Sequence, residues 1–158
     1  MTVIELNEIE QTLSEMIAKK RYETNRKSGV RNNRIGKQSN HLTDLNGVGA
    51  EIAFCKYANL YPDYSLFPRK GGADCIDRSG NKIDIKTTVY PNGHLVAVGT
   101  TTKGNVNFYV LMIGNMPTYE YKGWCTENEL IIDNNLTDFG YGKPSYALAQ
   151  NQLHLEHK

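Results

Sequence analysis

Residues 107–114, NFYVLMIG, are the most apolar stretch of the chain and are rich in strand-forming side chains. A run this short cannot cross a bilayer. Apolar on both of its faces, it reads as a strand that needs a covering layer on each side, so it predicts the centre of a sheet buried between two layers. Helix-like periodicity comes before it and strand-like segments surround it, giving an expected α/β fold of the mixed α+β kind.

At 158 residues the chain is expected to be a single domain. It is read as an N-terminal helix and basic loop over 1–40 and a core over 41–158. A hydrophobic fraction of 39% is low but still globular. No run approaches membrane-span length, and the start MTVIELNEIE lacks the basic head and apolar centre of a signal peptide. The expectation is a soluble protein of the cytoplasm without membrane association. Cys55, Cys75 and Cys125 are odd in number and without CxxC spacing, so they are read as reduced, buried thiols.

Leu6, Ile9, Leu13, Met16 and Ile17 recur at helical spacing, and Thr2 with Glu5 fits a capping box, predicting a first helix over about 3–25. Residues 26–40, RKSGVRNNRIGKQSN, read as a long basic loop. A second helix is expected over about 43–59, with Gly47 and Gly49 reserved for close packing or close approach of a ligand. Strands are expected in YSLFP, ADCID, KIDIKTT, HLVAV, NFYVLMIG and PTYEYKGWC, then a short helix capped by Thr126 and Glu129, and a final strand with a helical turn. Trp124 is assigned to the core, as are most of the ten tyrosines. The four histidines show no ligand spacing and are assigned no role.

Net charge is only +1, yet residues 19–37 hold eight basic side chains against Glu23 alone, leaving the rest of the chain acidic. Such a concentration suggests an anionic partner, nucleic acid being the commonest. Arg26, Lys27, Arg31, Arg34 and Lys37 are the candidate contacts, with Arg69 and Lys70 in the glycine-bearing approach to Asp74.

Three acids and a lysine form the chemical constellation. Strand alternation in KIDIKTT sends Asp84 and Lys86 to one face and Ile83 and Ile85 to the other. The turn Arg78-Ser79-Gly80-Asn81 would fold a hairpin that returns Asp74 to Asp84. Glu51 has uncharged helical neighbours at Gly47, Val48, Phe54 and Cys55, so its carboxylate lies on or beside the inward face. A carboxylate there needs a pairing, a hydrogen bond or a cation. Aspartates are poor strand formers, and clustered carboxylates repel one another unless neutralised. A hard oxygen site of this kind suits Mg2+ or Mn2+. Lys86 beside it could stabilise charge on a phosphorus centre or orient and deprotonate a water.

Glu51 in GVGAEIAF, Asp74 in GGADCID, and Asp84 with Lys86 in KIDIKTT make the chain resemble the PD-(D/E)xK nuclease superfamily, in particular its small phage-encoded members. The resemblance implies a restriction-endonuclease-like core, a central mixed sheet flanked by helices. It implies Asp74, Asp84 and the Ile85 carbonyl as metal ligands, Lys86 as the catalytic lysine, and Glu51 as the acid of the first core helix, a ligand directly or through water. It also implies a Mg2+- or Mn2+-dependent DNA endonuclease, in the host cytoplasm if phage-encoded. In one respect the chain departs from the family: residues 90–105 read as strand and loop where a substantial helix is usual.

A homodimer is plausible on the ground that cutting both strands needs two sites. The competing expectation is an inactive nucleic-acid-binding or protein-interaction module on the same fold. A phosphatase or nucleotide hydrolase lacks support from any GxxxxGK[ST] loop.

Overall fold

The computed structural model describes residues 2–27, 40–66 and 72–156. Strand β1 (Thr2–Glu5) precedes helices α1 (Glu8–Lys27) and α2 (Asn40–Ala58); β2 (Cys75–Ile76), β3 (Lys82–Thr88), β4 (Leu95–Val98), β5 (Phe108–Asn115) and β6 (Thr118–Thr126) follow. A short α3 (Glu127–Leu130), then β7 (Leu136–Thr137) and β8 (Ser145–Leu148), complete the chain. The main sheet has the order β1-β6-β5-β3-β2, mixed because β3 and β5 run parallel and the other pairs antiparallel. Strands β4, β8 and β7 form a second, three-stranded sheet.

NFYVLMIG is central as expected, with two strands on each side. Val110 and Met112 enter a core made with α1 and α2, while Tyr109, Leu111 and Ile113 enter a second core with Leu95, Leu130 and Leu148. All five are buried, each side chain contributing roughly 1.5–3 kcal/mol by leaving water. One covering layer is helical. The other is the small sheet with α3, so helices do not flank both faces equally. The β3-to-β5 crossover carries β4 into that second layer, consistent with the strand and loop expected over 90–105. No helix among the described residues is long and apolar enough to cross a membrane.

At the N-terminus the sequence reading needs correction. Thr2 and Glu5 lie in an edge strand paired with β6 rather than capping a helix. The cap is one turn later: Asn7 Oδ1 accepts from the Glu10 amide (2.9 Å) and Glu10 Oε2 from the Asn7 amide (2.7 Å). Both patterns, a capping residue followed three positions later by a glutamate, fit the rule, and pairing with β6 decides between them. Residues 61–66 of the YSLFP region form no strand, and 67–71 lie outside the described residues. The segment ADCID contributes only the two residues of β2, whereas the Thr126–Glu129 capping box forms as expected.

A β-bulge between Leu111 and Met112 sets Gly123 and Tyr121, rather than successive residues of β6, opposite them. One extra residue reverses which face each side chain takes. Tyr119 and Tyr121 therefore pack under the helices, Cys125 packs in the opposite core, and Trp124 turns to the helical face. Gly123 sits at φ +130°, and a Cβ there would lie 2.6 Å from the His154 carbonyl oxygen.

Gly49 is a close-packing glycine, as one of its expected uses required. A Cβ there would meet the Tyr119 hydroxyl at 2.2 Å and Met116 Cε at 2.6 Å, whereas at Gly47 nothing lies within 4 Å. Gly49→Ala is expected to cost about 1–3 kcal/mol through overpacking, even against alanine's gain of up to about 1 kcal/mol in a helix. Gly47→Ala should stabilise by up to about that gain. Urea unfolding of the two variants measures the opposite signs.

At the β2–β3 turn, Asp77 Oδ1 accepts from the amides of Ser79 (2.9 Å) and Asn81 (2.8 Å), and Oδ2 from the Asn81 side chain (2.9 Å). Burial alone would raise the Asp77 carboxyl, but these hydrogen bonds outweigh it and hold the group below its ordinary 3.8. A lowered folded value stabilises the fold above pH 3.8 and loses that contribution as pH falls through the folded value. Asp77→Ala should cost about 1 kcal/mol at neutral pH, and the difference from wild type should shrink in acid, as thermal melts at several pH values will read.

Candidate active site

The hairpin places Asp74 against β3. Cys75 pairs with Ile83, the Asp74 amide donates to the Ile83 carbonyl (2.8 Å), and Asp74 Oδ2 accepts from the Ile85 amide (2.7 Å). Asp74 is 8% exposed. Within a strand a residue's N–H and C=O leave on the same edge, so the Ile85 carbonyl points to the edge that Asp74 occupies. The turn bonds at Asp77 and the apolar contacts of Cys75, Ile83 and Ile85 in the helical core fix that edge.

Alternation in β3 buries Ile83 and Ile85 under the helices and leaves Asp84 and Lys86 half-buried. Lys86 Nζ lies 3.1 Å from Asp84 Oδ1 and 5.9 Å from the centroid of the Tyr109 ring. Burial on its own would lower the Lys86 pKa. Asp84 first, then Asp74 and Glu51, more than offset that and hold it above its ordinary 10.5. Lys86 is therefore an ammonium at neutral pH, within the field of all three acids. Burial, and after it the charge of Asp84, also pushes the Tyr109 phenol above its usual 10.

Glu51 faces inward, with its side chain 13% exposed, and is ion-paired at 2.9 Å with Arg21, itself 11% exposed. Arg21 also donates from Nε to the Ser65 carbonyl (3.1 Å) and from Nη2 to the Asp63 carbonyl. The Asp63 amide donates in turn to the Asp74 carbonyl (3.1 Å). One guanidinium thus ties α1, α2 and the segment leading to Asp74 into one block. Sequence reasoning placed Arg21 within the basic run and gave it no structural role. Helical spacing held the signal: Arg21 follows the buried Ile17 and Ala18 by four and three residues, on the inward face.

Among the proposed nucleic-acid contacts, Arg26 and Lys27 end α1 and are exposed, with the Arg26 guanidinium 4.8 Å from the Tyr22 ring centroid. Arg31, Arg34, Lys37, Arg69 and Lys70 lie outside the described residues. Among the described residues no group of three His, Cys, Asp or Glu side chains is gathered closely enough to hold an ion. The donors at the edge of β3 are two carboxylates and a backbone carbonyl, with Glu51 engaged by Arg21. That all-oxygen set fits an ion that keeps most of its shell as water and takes one or two carboxylates, as Mg2+ does; it offers nothing to a soft metal.

No protein-family model and no curated protein matches the chain.

Proposed function

We propose that this chain is a Mg2+- or Mn2+-dependent nuclease, a DNA endonuclease built on a restriction-endonuclease-like core. The observation that carries the proposal is the Asp74 carboxylate held against β3 by the Ile85 amide, beside the Asp84–Lys86 pair, with Asp74 and Glu51 both acting on the charge of Lys86. The mixed five-stranded sheet with α1 and α2 on one face agrees with such a core.

Asp74, Asp84 and the Ile85 carbonyl would hold the metal, which supplies charge neutralisation at the phosphate and an activated water. Lys86, an ammonium below pH 10.5, suits charge stabilisation on the phosphorus centre better than proton abstraction. Asp74 is oriented for its task by the Ile85 amide. Arg21 acts on the site through Glu51 and the 63–65 backbone, as a positioning residue. Arg26 and Lys27 stand about 8–9 Å along α1 from Arg21 and would contact backbone phosphates, a role that fixes register without reading sequence. In the reaction a water oxygen bonds to phosphorus, the P–O bond to the leaving sugar breaks, and a proton from the water ends on the departing sugar oxygen.

Purified protein is expected to cut at least one of linear, circular, branched or single-stranded DNA with Mg2+ or Mn2+ and to be silent in EDTA. Failure on all of these and on RNA with either metal overturns the proposal.

A further inference from the structure

A cavity of about 430 Å³ opens on the helical face of the sheet, beside the hairpin tip. Its volume lies in the range of small-molecule sites. The walls are aromatic: Phe54 and Tyr57 of α2 on one side, Phe108 and Trp124 on the other, with Ile83 at the sheet and Arg78 from the turn. Phe108 and Trp124 meet edge to face, with centroids 5.1 Å apart at 83°. The Trp124 indole is fixed by donation from Nε1 to the Glu156 carbonyl (2.6 Å). Its orientation follows from the bulge at Gly123, which turned Trp124 from the opposite core to this face. Sequence reasoning gave Trp124 to the core alone. The structure leaves it half-buried, with one side on the cavity.

The polar part of the lining is as telling as the aromatic part. The Asp77 carboxylate is committed to the turn amides, whereas Arg78 is exposed and no hydrogen bond or ion pair to it occurs among the described residues. Planar apolar walls with one available guanidinium at the turn match a flat ring carrying an anionic group. The cavity and Asp84 lie on opposite faces of the same strand, Ile83 lining the one and Asp84 belonging to the other. From the hairpin the cavity runs across β3 and β5 to Trp124 of β6.

Resting on the nucleic-acid reading above, we propose that this cavity receives one unpaired base of the bound strand, stacked among Tyr57, Phe108 and Trp124, with an adjoining phosphate on Arg78. Only an unstacked base can enter, so single strands and duplexes with an unpaired nucleotide are the preferred ligands. A fully paired duplex would first have to lose a base from its stack.

Trp124 is the sole tryptophan of the chain and reports directly. In EDTA, with the Asp84→Asn protein so that no strand is cut, an oligothymidylate and a duplex with a bulged base are expected to quench Trp124 emission. Fully paired duplex and thymidine monophosphate should do so much more weakly. Arg78→Ala should weaken quenching about ten-fold, the loss of one charge-assisted phosphate contact. Ala58→Leu, which fills the cavity from the end of α2, should abolish it. Should Ala58→Leu fail to fold, Arg78→Ala carries the test alone, since its side chain is exposed.

Quenching by none of the four probes, or quenching unchanged in Arg78→Ala and in a folded Ala58→Leu, overturns the base pocket. Quenching as strong by thymidine monophosphate as by the oligonucleotide shows a free-nucleotide site and overturns the strand assignment. These outcomes are separate from loss of the nuclease reading, which is read by cleavage in metal and depends on the acids.

Discussion

Lys86→Ala is expected to slow cleavage by about a hundred- to a thousand-fold, the scale of removing one preorganised charge from a transition state. Lys86→Arg should retain part of the rate, because a cation remains near Asp84. Neither variant should melt far from wild type: the Lys86–Asp84 pair is 35% and 17% exposed, and a pair this accessible contributes at most about 1 kcal/mol after screening. Asp84→Ala should abolish cleavage as well. The sign of the Lys86 shift adds a pH test. A raised lysine value means that its ionic contribution is complete below pH 10.5 and is lost only as pH rises through the folded value. Deprotonation of Lys86 in the metal-free protein therefore adds no transition between pH 6 and 9. A full-rate Lys86→Ala enzyme would remove this side chain from the chemistry.

Arg21→Ala should destabilise the fold by about 3–5 kcal/mol, because it removes the guanidinium paired with a Glu51 carboxylate that is only 13% exposed. The Asp63 and Ser65 carbonyls lose a donor at the same time. Glu51→Gln should cost less, since the amide oxygen still accepts from the guanidinium. The double variant should be more stable than the sum of the single losses implies, a coupling that a double-mutant cycle in urea will read. Additive losses would mean that the pair is solvated. Arg21→Ala should also lower the rate, because Asp63 bonds the Asp74 backbone.

The hairpin was legible because its rules are local. Residues 78–81 are turn formers, KIDIKTT alternates, and these two facts return Asp74 to Asp84. The central strand was equally legible, its double-sided apolarity mapping onto two cores. What escaped was non-local. Thr2–Glu5 carries a helix-start pattern, yet its pairing with β6 arises from residues more than a hundred positions away. Arg21 looked like one cation among eight until α1 packed on α2. The face taken by Trp124 depends on a single bulged residue, and alternation counted along β6 gives the wrong side.

Strand β2 is only two residues long, and beyond it a carboxylate takes over the rung that backbone would otherwise supply, Asp74 accepting the amide of Ile85. Shortening that side chain would remove a rung of the hairpin along with an acid, so an inert Asp74→Ala protein would not separate chemistry from architecture. Asp84 bonds only a neighbouring lysine on its own strand in the contacts described. A substrate trap, binding tightly and cutting nothing, is therefore best made at Asp84.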